Sequence, residues 1–535
     1  MLRELSFIKL IYILTIYRKY TTYRLLSKMI DSPIIINNMI QMNQVPSDMA
    51  LFQAESNSHF GLLTLKTAKI LQSNTPVLFK FDIDISDSMG ERGIGSTTKM
   101  EYVKNTFKNM MMYLSEQSAE IYVQVSLFNT NYKHLIDITR ITPDNCDELI
   151  NKVLSITNSL CTNIERTFSG SAKFISEYAN SFPMHRIAYV ILTDGIATDG
   201  NQNIDYLVSI VPKNCDIFCI GYGQDHCAKL LRKCGVYYFV TDFEVTGKVY
   251  GEIVFTMLYI AVEDVEIRMT NGANIYDAFT NTWVDVLNVK QLYGDREITY
   301  ALKCVSDTDN TAIITGKVVG TIESNTQYIQ ESNHLCEVIQ LPDLIDENGT
   351  FDRNDLRKYM YKHKTQEYLF ECIKLSDDTN KNRFENNIKI RDYKKDIQGF
   401  YSNIKQYIIE NNLTEDTLLK VLCDDIYTGY KTIGRESSNT YTVMRQTAHA
   451  REMSYRAGTN DLEEQVSYQR QDIYQNMGSI GRQCSIECHD IDDEDEENDE
   501  DIIGDLNRYT SNTQPDEELN ISETLTQTVR GVSNR

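Results

Sequence analysis

The sequence is poor in residues that mark several common classes of protein. Its 535 residues include eight histidines, eight prolines and one tryptophan. The histidines are isolated from one another, without an H-E-x-x-H segment, so a catalytic zinc is not expected. The 12 cysteines are scattered from Cys146 to Cys488 without a C-x-x-C pair. This excludes a disulfide framework and a zinc ribbon, and favours reduced thiols in a cytoplasmic compartment.

Positive charge is also scarce. The chain has 53 Lys and Arg against 76 Asp and Glu, a formal net charge of -23. Because nucleic-acid binding is driven by clustered Lys and Arg, we expect no nucleic-acid partner. Part of the negative charge lies in one run, DIDDEDEENDED at 490–501, which is typical of a solvated tail.

One apolar run occurs near the start, LSFIKLIYILTIY at 5–17. It is short for a bilayer, carries Lys9 in its middle and is followed by no small-residue cleavage pattern. A signal anchor, a packed amphipathic helix, and residues upstream of a true start at Met29 or Met39 remain open. We do not expect membrane anchoring by this segment.

Between residues 76 and 245, short apolar runs alternate with helical periods. Strands are predicted at 77–85, 121–127, 186–192, 216–220 and 237–240, with helices between them. Such continuous apolar strands are buried on both faces. The pattern predicts an α/β fold, with a doubly wound, mostly parallel sheet and helices on both faces.

The flanking segments differ in period. We divide the chain into an N-terminal segment (1–45), a strand-rich lead-in that pairs with a later β unit (46–75), the α/β domain (76–245), an antiparallel β domain (246–345), a helical domain (350–433) and a largely disordered acidic tail (434–535). A mixed basic and aromatic segment lies before the acidic run and consists of Arg445, Arg451 and Arg456 with Tyr441 and Tyr455. They are interpreted as a solvated helix face or as a docking peptide for the acidic run.

Oxygen-bearing side chains follow two of the predicted strands. The first strand ends in Asp84-Ile85-Ser86-Asp87-Ser88, and a later one ends in Thr193-Asp194-Gly195. A loop between them holds Thr162 and Asn163 just before a helix. Ligands of doubly wound sheets bind outside the carboxyl ends of the strands, where the strand order reverses. Mg²⁺ prefers such hydroxyl and carboxylate oxygens and keeps several waters. The sequence therefore predicts a metal site at this edge.

The series D-x-S-x-S, T-N and T-D-G resembles the metal-ion-dependent adhesion site of von Willebrand factor A (VWA) domains. The resemblance covers about 76–245 and implies an intact-looking site that holds Mg²⁺ or Mn²⁺. Ser86, Ser88 and Thr162 would bind the ion through hydroxyls, and Asp84 and Asp194 mostly through waters. Asp87, Asn163 and Asp199 are possible supporting residues. Cys161 departs from the family, which often has Gly before the threonine.

In that family the open metal position accepts a carboxylate from a partner, so the resemblance implies a metal-dependent protein-interaction module that binds an Asp or Glu of another protein. The alternative is a metal-dependent hydrolase, or an accessory subunit of an ATPase or ubiquitin-type machinery. We recognise no catalytic constellation. The layout is similar to that of stand-alone cytosolic A-domain proteins of protists, bacteria and large DNA viruses. With the codon-biased composition, it suggests a giant-virus protein of host cytoplasm or virion.

Two further features lie close to the predicted metal site in the sequence. Residues 90–99 (GERGIGSTTK) superficially suggest a phosphate loop, but Ser96 follows Gly95 where a Walker A loop requires lysine. Cys161 adjoins the predicted metal loop. We expect a small buried side chain there rather than a nucleophile, because the motif places no histidine nearby.

Overall fold

The computed structural model describes residues 34–41 and 58–451, apart from 68, 92–96, 195–196, 224–225, 241–242, 306–310, 321–334, 341–352, 378–382, 436–437 and 439. Within these residues the strands are β1 (Ile34–Gln41), β2 (Ser58–Thr67), β3 (Val77–Asp84), β4 (Ile121–Phe128), β5 (Tyr132–Arg140), β6 (Arg186–Thr193), β7 (Asp216–Tyr222), β8 (Val236–Val240), β9 (Ile260–Met269), β10 (Asn274–Asp277), β11 (Thr282–Val284), β12 (Val286–Tyr293), β13 (Glu297–Val305), β14 (Thr311–Val318) and β15 (Leu335–Gln340). The helices are α1 (Lys99–Ser115), α2 (Pro143–Leu154), α3 (Ile164–Ser181), α4 (Ile204–Ser209), α5 (Ala228–Cys234), α6 (Phe243–Leu258), α7 (Arg353–Asp377), α8 (Arg383–Glu410), α9 (Thr417–Thr432) and α10 (Tyr441–Arg451). The apolar run at 5–17 lies outside the described residues.

A six-stranded sheet with the order β5-β4-β3-β6-β7-β8 forms the centre of the α/β unit. All neighbouring strands run parallel except β4 and β5, which are antiparallel. The chain builds the sheet outward from β3 in one direction through β4, and then in the other through β6, β7 and β8. The strand order therefore reverses between β3 and β6, and the predicted doubly wound, mostly parallel α/β fold is confirmed.

The inner strands are buried on both faces, as their continuous apolar runs require. Every residue of β3 is buried, and so are all residues of β6 except its first. Helix α1 begins with a capping box, in which Thr98 and Glu101 each satisfy the backbone amide of the other. Its apolar face packs into the same core through Val103, Phe107 and Met111. This packing fixes the loop between β3 and α1 at the carboxyl edge of the sheet.

Two antiparallel sheets form a sandwich beside the α/β unit. Their orders are β1-β2-β13-β10-β11 and β12-β9-β14-β15, and they share one apolar core. Strand β2, which precedes the α/β unit, pairs along its length with β13, which follows it. The α/β unit is thus inserted into the sandwich. Side chains alternate along β2, so that Leu63 and Leu65 enter the sandwich core while Phe60 and Leu62 pack against the helices α7–α9.

The segment after residue 434 differs from the tail expected there, because residues 441–451 form helix α10. Tyr441, Met444 and Ala448 belong to the core of the α/β unit, and the Tyr441 ring meets Phe239 of β8 edge-on at 5.3 Å between centroids. Arg445 was interpreted as part of a solvated face, and this is wrong, since its side chain is fully buried. Asp424 and Asp425 of α9 form ion pairs with Arg445. The positive charge that α10 buries is therefore compensated by a different helix.

None of the helices in the described part of the chain is long and apolar enough to cross a membrane.

Candidate metal site

The predicted site residues lie at the carboxyl edge of the α/β sheet, at the point where the strand order reverses. Asp84 is the last residue of β3, and Asp194 directly follows β6, its parallel neighbour. Because parallel neighbours end at the same edge, the two carboxylates face one crevice. Both side chains are almost completely buried.

Hydrogen bonds link the first loop to the second carboxylate. The Asp84 carboxylate accepts from the Ser86 amide at 2.9 Å, which turns the chain back over the end of the strand. The hydroxyls of Ser86 and Ser88 are 3.1 Å apart, and Ser88 donates to Asp194 Oδ1 at 3.0 Å. Four of the five predicted ligands are therefore in contact with one another through their oxygen atoms or the adjacent backbone.

Thr162 is held beside this cluster through its backbone. Its amide donates to the Thr198 hydroxyl at 2.9 Å, and its carbonyl accepts from the amides of Thr198 and Asp199. Leu160, two positions before Thr162, has φ of +70°, an uncommon conformation for a branched side chain, and its carbonyl accepts from the Asp87 amide. These bonds tie the Thr162 loop to the loops that follow β3 and β6.

The possible supporting residues occupy different positions. Asn163 caps helix α3 by accepting from the Arg166 amide at 2.8 Å, and it donates to Asp199 at 3.1 Å. Gly200, with φ of +75°, lies so close to Asn163 that a Cβ atom there would meet the amide oxygen at 2.8 Å. Asp87 is exposed and begins a short 3-10 turn. Asn163 and Asp199 thus fasten the rim, whereas Asp87 faces solvent.

Two residues of the site were missed by the sequence analysis. Thr193, the last residue of β6, donates its hydroxyl to Asp84 Oδ2 at 2.6 Å. Lys99, the first residue of α1, places its ammonium 2.8 Å from Asp194 Oδ2 and 3.4 Å from Glu91 Oε2. The T-D-G pattern contained a signal for Thr193. For Lys99 the sequence carried no such signal, because the residue begins a helix rather than ending a strand.

The electrostatics of the crevice favour a bound cation. Burial raises the pKa of Asp84 to about 7, although hydrogen bonds from Thr193 and the Ser86 amide lower it in part, and the nearby Asp194 raises it further. Lys99 supplies a positive charge to Asp194. Among the described residues no three His, Cys, Asp or Glu side chains converge as a metal cluster. The donor set is instead two carboxylates with hydroxyls, which suits a hard ion that keeps part of its water.

Cys161 differs from the expectation. Its side chain is exposed rather than buried, and it directly follows the left-handed turn at Leu160.

A comparison with protein families agrees with this fold. The family model of the von Willebrand factor type A domain matches residues 81–252. One similar solved structure is the ArnB paralog VWA2 from Sulfolobus acidocaldarius, at 14% identity and TM-score 0.45, where the match covers 80% of this chain and 100% of that one. Another is a von Willebrand factor type A protein from Catenulispora acidiphila, at 14% identity and TM-score 0.46, where the match covers 74% of this chain and 89% of that one. BatB from Bacteroides thetaiotaomicron matches 33% of this chain and 97% of its own, at 15% identity and TM-score 0.27. No curated protein sequence matches the chain.

Residues 81–252 therefore form a VWA domain, set within a longer chain. Domains of this type generally act as protein-interaction modules and often depend on a divalent metal.

Proposed function

We propose that this VWA domain binds Mg²⁺ or Mn²⁺ and uses the ion to bind an Asp or Glu side chain of a partner protein. Ser86, Ser88 and Thr162 would hold the ion through their hydroxyls, and Asp84 and Asp194 mostly through waters. The observation that carries the proposal is the 3.0 Å contact between Ser88 and Asp194, which are 106 positions apart in the chain.

The chain's own residues prepare the site before any ligand arrives. Thr193 and the Ser86 amide orient the Asp84 carboxylate from both sides. Asn163 and Asp199 hold the Thr162 loop against the rim. When bound, the ion supplies Lewis acidity toward an incoming carboxylate, since two acidic groups that act through water leave it net positive. The carboxylate of the partner then binds the ion directly, whereas Asp84 and Asp194 act mostly through waters.

The cysteines agree with the cytoplasmic location that we propose. The nine with described side chains are all free thiols, including Cys161 at the rim of the site. An oxidising compartment would leave such an exposed thiol open to pairing.

Metal binding is tested by calorimetric titration of the full chain with MgCl2 and MnCl2. We expect saturable binding of one ion, weakened at least tenfold in Ser86→Ala and in Thr162→Ala. Ser115→Ala is the matched control, because Ser115 ends helix α1, which Lys99 begins, and its hydroxyl donates to the Met112 carbonyl away from the site. Equal affinity in all four proteins would show that these hydroxyls do not hold the ion.

Partner binding is tested separately, with the immobilised chain as bait in magnesium and in EDTA. We expect a set of proteins that is captured in magnesium by the wild type and Ser115→Ala, and lost in EDTA and with Ser86→Ala. Replacement of one acidic residue in a captured protein should then abolish its binding. Recovery that is the same with and without the metal would refute the metal-dependent interaction, even if the ion binds.

A further inference from the structure

A cavity of about 510 Å3 lies at the junction of the VWA domain, the sandwich and helix α10. Its walls include the beginnings of β7 and β8, helix α6, strands β10, β12 and β13, and the end of α10. Strands β7 and β8 begin at the amino edge of the sheet, and the candidate metal site lies at the carboxyl edge. The cavity and the metal site are therefore at opposite edges of the sheet. Its volume is that of a pocket for a small organic ligand.

A buried carboxylate lies on the wall of this cavity. Glu252 of α6 lines the wall and is 8% exposed, and its Oε2 has no hydrogen bond to any described residue. Burial raises the pKa of Glu252 to about 7, while the positive charges of Arg296 and Arg451 lower it in part. A buried acceptor that is left unpaired is costly, so a donor from a ligand would relieve the cost.

Two arginines lie on other walls of the cavity, and both are held by aromatic rings. The guanidinium of Arg296 lies 5.0 Å from the ring centre of Phe255, and that of Arg451 lies 5.3 Å from the ring centre of Phe279. Neither forms an ion pair with a carboxylate in the described part of the chain. Stacking fixes the plane of a guanidinium and leaves its N–H groups available to an anion.

The remaining walls are largely aromatic and aliphatic. Tyr238, Tyr276, Tyr293 and Tyr300 line the cavity together with Leu287 and Ile298. Flat rings bind such walls with little loss of freedom, and the charged groups then fix the orientation.

We propose that this cavity binds a small organic molecule with a flat ring, an anionic group and an N–H donor. Arg296 and Arg451 bind the anion, Glu252 accepts from the donor, and the tyrosines contact the ring. A nucleoside monophosphate supplies this chemistry through its base and phosphate, and an aromatic amino acid supplies it through its ammonium and carboxylate. The two sources share the same three contacts and differ in the distance between their charged ends.

The test is calorimetric titration of the full chain with guanosine 5′-monophosphate and, separately, with L-tryptophan. We expect one of them to bind saturably with a Kd of about 1 mM or tighter, and Glu252→Gln and Arg296→Gln each to weaken it at least tenfold. Removal of the anionic group, by use of guanosine or tryptamine, should weaken binding by a similar factor. Glu266→Gln and Arg268→Gln are matched controls on the exposed face of β9 and should bind like the wild type.

Hydrogen exchange of the wild-type chain, with and without the bound probe, locates the site without any substitution. We expect slower exchange in peptides from the beginning of β7, from α6 and from β13, and no change at 84–88. The Asp194→Asn chain should bind the probe normally, which separates this site from the proposed metal site. Absence of binding by both probes, equal binding by Glu252→Gln and Arg296→Gln, or protection confined to other regions would each overturn the proposal.

Discussion

The buried charge cluster between α9 and α10 gives a quantitative prediction for stability. Arg445 Nη1 lies 2.7 Å from Asp425 Oδ1, and the other oxygen of Asp425 is 2.6 Å from His449 Nε2. The side chains of these three residues are 0% exposed, whereas Asp424, a further partner of Arg445, is 27% exposed. Removing Arg445 alone would leave Asp425 buried without its strongest counter-charge.

Breaking a buried pair by removing one partner costs about 3–5 kcal/mol, since the remaining charge stays desolvated. We expect Arg445→Met to lower the free energy of unfolding within that range. The double variant Arg445→Met with Asp425→Asn should recover part of the loss, because neither buried charge then remains unpaired. The control is Arg268→Met, which breaks the half-exposed pair with Glu266 and should cost about 0–1 kcal/mol.

The assay is urea unfolding at equilibrium, followed by far-ultraviolet circular dichroism, with the midpoint and slope compared across the four proteins. Equal losses for Arg445→Met and Arg268→Met would refute the reasoning. So would a double variant less stable than Arg445→Met, because the cost would then come from lost packing rather than from an uncompensated charge.

Three other predictions follow from particular contacts. Lys99→Gln should tighten Mg²⁺ binding at least fivefold in calorimetry, because it removes the cation that pairs with Asp194. The control Lys104→Gln removes a lysine that bonds to the Ile156 carbonyl, and it should leave the affinity unchanged. Weaker Mg²⁺ binding by Lys99→Gln would mean that the lysine orients the carboxylate instead. The pKa of Glu252 rises from the ordinary value of 4.5 to about 7 in the folded chain, which therefore retains this proton between those values. The stability of the folded chain should fall as pH rises through that window. In thermal unfolding, Glu252→Gln should flatten this dependence of stability on pH, and an unchanged slope would count against the assignment. Gly235→Ala should destabilise the folded chain by about 1–3 kcal/mol, because the new Cβ would lie 2.4 Å from the Ile217 carbonyl oxygen. Gly251→Ala in helix α6 places a Cβ that meets nothing within 4 Å, so it should stabilise the chain by about 0.5–1 kcal/mol. Equal shifts of the melting temperature for the two variants would contradict this.

The fold class was predictable because the inner strands of the VWA sheet are buried on both faces. Continuous apolar runs such as that of β3 leave few alternatives to a parallel sheet with helices on each side. The edge strand β5 was not predicted, and its burial explains why. Only Ile136 of its nine residues is buried, so neither face carries a readable alternation.

The candidate site was predictable where residue type and position in the sheet agree. Asp84 and Asp194 follow adjacent strands at the reversal point, so their proximity follows from topology. Lys99 was not predictable in this way, because its contact with Asp194 depends on how α1 lies over the crevice. Helix α10 was missed for a related reason, since the aspartates that compensate Arg445 belong to a different helix.

The contribution of α10 to the VWA core bears on how this protein can be divided. The matched domain ends at residue 252, yet Tyr441, Val443, Met444 and Ala448 complete its apolar interior from almost two hundred positions further along. A recombinant fragment cut at the family boundaries would expose the groove that these side chains fill and would tend to self-associate. Expression of the isolated domain therefore calls for co-production of α10, supplied as a separate peptide or fused through a short linker.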